Sequence, residues 1–123
     1  MLRNVVCAAA AALSLAAAAA AETPVERGRY LVETIGGCGN CHSPRGPGGV
    51  FAAGKHLAGG FVIEDGPFHA VASNITPDKE TGIGNWTDSQ LGKAIRDCIR
   101  PDGSLVGPPM PIELYRKLSD TDV

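Results

Sequence analysis

Cys38 and Cys41 stand three positions apart with Gly39 and Asn40 between them, and His42 follows at once. Two thiols at this spacing with an adjacent imidazole form the attachment signature of haem c. Each thiol can add to one vinyl group to make a thioether, and the imidazole then serves as an axial ligand to the iron. Rival uses of a Cys-x-x-Cys pair fit less well. A zinc site wants a second pair of ligands at comparable spacing, and Cys7, Cys98, His56 and His69 provide none. A dithiol redox pair has no need of His42.

A haem iron has a second axial position. Pro108-Pro109-Met110-Pro111 mounts one thioether on backbone that prolines restrict. Met110 is therefore the candidate distal ligand; the alternative is a methionine filling a gap in the core. The other methionine, Met1, lies in the expected signal segment. His56 and His69 are rival ligands, although a lone imidazole in a loop or hairpin is more simply solvated. Trp86 reads as core, with donation from its indole N–H to a haem propionate as the alternative. A filled sixth position points to an electron carrier, and an open one to a haem enzyme or ligand sensor.

The elements that must hold these residues follow from pattern. Residues 1–21 read as a secretory signal peptide: Arg3, then an alanine-rich apolar run, then Ala19-Ala20-Ala21 as a cleavage site, with a membrane anchor as the alternative. Residues 22–123 read as one small domain in a chain of 123 residues. Export places that domain in the periplasm, where haem c is attached. The formal charge of −2 argues against nucleic acid as a partner.

Pro24 to Ile35 reads as a helix stopped by Gly36-Gly37, with Gly28, Leu31, Val32 and Ile35 on one face. That stripe wants a partner, and Gly28 would let another helix come close. Residues 43–60 read as a loop, and Phe61–Glu64 with Phe68–Val71 as a short hairpin around Asp65-Gly66, a favoured turn that Pro67 weakens. Thr87 to Arg100 reads as the clearest helix, with a Thr87/Gln90 capping box and an apolar face of Leu91, Ala94, Ile95, Cys98 and Ile99. On that face Cys98 packs as a small hydrophobe, with a reactive or bridging thiol as the alternative. Pro111 to Leu118 reads as a short helix, and Ser119 with Asp122 as another helix start, after which the sequence stops.

Taken together, these stretches closely resemble the class I cytochrome c domains in cytochrome subunits of bacterial membrane-bound alcohol, gluconate and aldehyde dehydrogenases. The resemblance is carried by Arg27 to Val32, Gly37 to His42, Leu57 to Phe61, Ser73 to Asp78, Thr81 to Gly84 with Trp86-Thr87, Arg100 to Gly103, and Pro108 to Pro111. It implies an all-α class I cytochrome c fold around one covalent haem c, with Cys38 and Cys41 as thioether sites and His42 and Met110 as axial ligands. It also implies a dehydrogenase subunit, another cytochrome or an oxidase as redox partner, with membrane association only through a partner subunit. Such subunits often carry three haem domains, whereas one Cys-x-x-Cys-His occurs here. The family domain continues into a C-terminal helix that crosses the N-terminal one, so the domain is expected to be truncated at its C-terminus.

Overall fold

The computed structural model describes residues 21–123, so the expected signal peptide lies outside it except for Ala21. Thr23 opens helix α1, Pro24–Tyr30, through a reciprocal capping box: Glu26 N–H reaches the Thr23 hydroxyl at 3.2 Å, and Thr23 N–H reaches the Glu26 carboxylate at 2.9 Å. The expected helix to Ile35 is present only in modified form. From Leu31 to Ile35 the chain widens into π-helical turns, closed by Gly36 N–H on the Leu31 carbonyl. Such widenings recur beside functional sites. A Cβ built on Gly28 meets nothing within 4 Å.

Helix α2, Gly39–His42, is a single turn with Cys38 as its N-cap. Strands β1, Val62–Asp65, and β2, Phe68–Val71, pair antiparallel in the register Val62 to Val71 and Asp65 to Phe68. The expected hairpin therefore forms, with its turn one residue later, at Gly66-Pro67. Gly66 takes φ +58°, which a residue without Cβ adopts at little steric cost, and Pro67 needs no N–H there.

Helix α3, Asp88–Asp97, starts at the expected Thr87/Gln90 capping box and ends three residues before Arg100. Cys98 is its C-cap in the left-handed conformation, φ +63°, a position that favours glycine and costs other residues about 1 kcal/mol. It thus terminates the helix rather than lining its face. Helix α4, Ile112–Tyr115, is one turn after Met110. Ser119 caps the turn that its sequence announces, accepting Asp122 N–H at 3.1 Å, and Asp122 binds Arg27 Nε at 2.7 Å.

The all-α expectation is overturned. Helix makes up only 32% of the structure, and a two-stranded sheet stands between the attachment turn and α3. The cause lies in the composition: glycine and proline cut the helices short, while Val62, Ile63, Phe68 and Val71 favour paired extended backbone once the turn is set. Among the described apolar residues, only Ala94 is buried, and Ile35, Val50, Leu105 and Leu114 are largely exposed. Trp86, read as core, is half-buried.

Candidate haem-attachment site

The π-helical turns ahead of the motif deliver the chain to Gly36-Gly37, and Cys38 N–H bonds the Val32 carbonyl at 3.0 Å. The motif then coils once, with Asn40 N–H on the Gly37 carbonyl and His42 N–H on the Cys38 carbonyl, both at 2.9 Å. One turn of helix puts residues three apart on the same side, so Cys38 and Cys41 share a face. Both thiols are free; Cys41 is exposed and Cys38 half-buried. Burial pushes the Cys38 thiol above its ordinary range, with the charges of Glu33 and Cys41 adding to the shift and a backbone hydrogen bond opposing it.

His42 is held from the other side of the loop. Its Nδ1 lies 2.7 Å from the Ser73 carbonyl oxygen, an atom that can only accept. In the neutral ring Nδ1 therefore carries the proton and Nε2 keeps its lone pair. Metal-ligating histidines are commonly oriented in this way, and the bond makes the other nitrogen a stronger donor. The His42 carbonyl in turn accepts Gly59 N–H at 2.7 Å. Gly59 is buried at φ +73°, and a Cβ there would fall 2.5 Å from Asn74 N and 2.6 Å from the Ser73 carbonyl carbon. Only glycine lets these backbones pass so closely.

Two side chains outside the motif tie it down. Tyr115 donates its hydroxyl to the Gly36 carbonyl at 2.9 Å, linking α4 to the approach to Cys38. Arg45 spreads its guanidinium over Phe51 at 3.9 Å and Phe61 at 5.4 Å while donating to the Asn40 carbonyl at 3.1 Å.

Known proteins resemble this chain. Over 99 residues, 80% of the chain, it is 41% identical to the fructose dehydrogenase cytochrome subunit of Gluconobacter japonicus. It is 37% identical over 102 residues to the cytochrome c subunit of the quinone alcohol dehydrogenase of Gluconobacter oxydans, and 36% identical over 99 residues to the gluconate 2-dehydrogenase cytochrome c subunit of Pantoea cypripedii. The chain is a homologue of dehydrogenase cytochrome c subunits. It covers 83% of itself in the second match and 80% in the third, but spans only 19%, 20% and 21% of the three relatives in turn. No family model matches the chain.

In this cytochrome c homologue the donor set fits haem c. Two free thiols on one face of a turn can form the two thioethers, and the adjacent imidazole has its Nε2 lone pair released by the Ser73 carbonyl. Met110 is half-buried in the segment Pro108-Pro109-Met110-Pro111, its N–H on the Gly107 carbonyl and its own carbonyl taken by Ile112 N–H at 2.9 Å. That mount runs directly into α4, whose Tyr115 reaches Gly36, so the methionine segment is anchored to the approach to the motif.

The rival histidines are engaged elsewhere. His69 Nδ1 lies 3.1 Å from Glu64 across the hairpin, and His56 Nε2 lies 2.9 Å from Glu33. The sequence reading missed the Ser73 carbonyl, Tyr115 and Arg45. A carbonyl leaves no trace in residue type. An aromatic four residues past a proline at a helix start was the one available hint of Tyr115.

Proposed function

We propose that the chain is a periplasmic electron carrier with one haem c, attached through Cys38 and Cys41 and ligated by His42 and Met110. The observation that carries this reading is the His42 Nδ1 bond to the Ser73 carbonyl, which presents Nε2 as a ligand beside two free thiols. Bound there, the haem supplies one-electron exchange between ferrous and ferric iron. The chain's own residues would do the rest: two thiols would tether the haem, one imidazole with its tautomer set would ligate the iron, and Met110 on its proline mount would supply the second protein ligand. A thioether there favours the reduced state and keeps exogenous ligands off the iron.

The kinship with cytochrome subunits of fructose, alcohol and gluconate dehydrogenases supports a dehydrogenase subunit as electron donor; the electrons then pass towards quinone or an oxidase. Membrane association then comes through a partner subunit. Among the described residues no helix is long and apolar enough to cross a membrane.

The test is expression in a bacterium competent for haem c maturation, with fractionation and spectroscopy. One haem per chain should survive denaturing electrophoresis of the periplasmic fraction, and the reduced protein should not bind carbon monoxide until Met110→Ala opens the sixth position. Haem that leaves on denaturation would overturn the attachment. Rapid carbon monoxide binding by the unaltered protein would overturn Met110 as ligand and favour an enzyme or sensor.

A further inference from the structure

Ser43 follows His42 directly and is 2% exposed, yet haem attachment makes no use of a buried hydroxyl at that position. Its oxygen accepts Leu57 N–H at 3.0 Å and lies 3.3 Å from His56 Nδ1. His56 Nε2 lies 2.9 Å from Glu33 Oε1, and a carboxylate accepts, so in the neutral ring Nε2 donates and Nδ1 is left to accept the Ser43 hydroxyl proton. Serine, histidine and glutamate in this order have the composition of a hydrolytic relay. Buried and already engaged with Leu57, the Ser43 oxygen has no path to a substrate.

The relay does connect three segments of the attachment site. Glu33 lies in the π-helical turns before Cys38, Ser43 closes the motif behind His42, and His56 begins the loop that carries Gly59. The His56 ring also packs on the motif itself, since a Cβ on Gly39 would fall 2.7 Å from His56 Cε1. Beyond His56 the loop bonds Ser43 through Leu57 N–H and the His42 carbonyl through Gly59 N–H. Its Leu57 carbonyl accepts Ile75 N–H at 3.0 Å. The same loop presses on the backbone of Ser73 and Asn74 at Gly59.

We propose that His56 is a positioning residue for haem attachment. It locks the Cys38–His42 turn between Glu33 and Ser43 and, through the loop it begins, steadies the Ser73 carbonyl on His42 Nδ1. This rests on the reading that Cys38 to His42 carry the haem. His56 and Glu33 are both about half exposed, 55% and 45%, and an exposed pair of this kind adds little to stability. Its effect should therefore appear at the iron before it appears in the melting curve.

The experiment compares full-length haem-loaded protein with His56→Ala, His56→Gln and Ser43→Ala. Haem per chain after denaturation is read first, then the ferric low-spin resonance and the midpoint potential. His56→Ala should broaden the resonance and change the oxidised-to-reduced ratio at fixed potential by about threefold, less than the 10–100-fold cost of removing a direct outer-shell partner. His56→Gln, whose amide can both accept and donate, should restore most of the wild-type signal, and Ser43→Ala should reproduce the broadening.

Wild-type resonance and potential in His56→Ala would overturn the proposal, as would equal shifts in the Ala and Gln variants. Loss of haem from His56→Ala with retention in His56→Gln would support it. Should the unaltered protein itself hold no covalent haem, the attachment reading fails separately. The relay is then read from the ¹⁵N shifts of the His56 ring, which must show Nδ1 as acceptor and must change in Ser43→Ala.

Discussion

Tyr115 and Gly36, far apart in the sequence, meet through a hydroxyl-to-carbonyl hydrogen bond of 2.9 Å directly ahead of Cys38 and Cys41. Removing that hydroxyl in Tyr115→Phe should destabilise the protein by about 1 kcal/mol, the usual net value of a hydrogen bond, measured by denaturant unfolding. Burial, then the nearby Cys38 and Cys41, push the Tyr115 phenol above its ordinary range in the haem-free chain. A raised acid pKa means that the folded state keeps its proton longer. The stabilising contribution is thus present below the ordinary phenol value of 10.0 and lost as pH rises through the folded one. Alkaline difference absorbance should show one of the tyrosines titrating late, and that late phase should vanish in the Phe variant.

Gly59→Ala should damage both fold and site. The new methyl would collide with the main chain of Ser73 and Asn74 in a left-handed backbone that alanine disfavours. A cost of about 2 to 4 kcal/mol follows from clash plus strain. The low-spin signal of the haem-loaded protein should broaden with it, because the displaced carbonyl is the one that orients His42. A variant with wild-type stability and spectrum would show that the loop yields without loss.

Cys38 in the haem-free chain should alkylate with a pH midpoint above the ordinary thiol value of 9.0, because burial disfavours its thiolate. Linkage then has the stability of that chain fall as pH rises above the ordinary thiol value, since the unfolded thiol loses its proton first. Rates of iodoacetamide labelling from pH 7 to 11, read on the Cys38 peptide by mass spectrometry, check the midpoint. Labelling that follows an ordinary thiol would contradict the burial.

Thr87→Ala should cost about 1 kcal/mol by removing one arm of the α3 capping box. The loss should be confined to stability, leaving the midpoint potential unchanged, because the Thr87 side chain bonds within the start of α3 itself. A shifted potential would mean that α3 bears on the iron.

What could be read from residue types was local. The capping box at Thr87 and the hairpin depend on neighbours a few positions apart, and both are present. The errors came where pattern and backbone geometry part. Cys98 fits an apolar helical stripe, yet the helix stops there in a left-handed residue. Leu31 to Ile35 keep helical periodicity, but the turn widens. The all-α expectation failed because it was carried over from a resemblance, while Gly66-Pro67 between β-prone segments builds a sheet. The relay through His56 was hidden for another reason: its members, Glu33, Ser43 and His56, are brought together only by the loop's return.

The orienting partner of His42 is a main-chain atom, and this has a consequence for how the site can drift. Any side chain at position 73 still offers a carbonyl, so Ser73 is free to be replaced without touching the imidazole. The cost of change has moved to Gly59, which supplies no chemistry at all. Across homologous sequences, variation should therefore accumulate at the residue that makes the bond and be purged at the residue that merely leaves room for it.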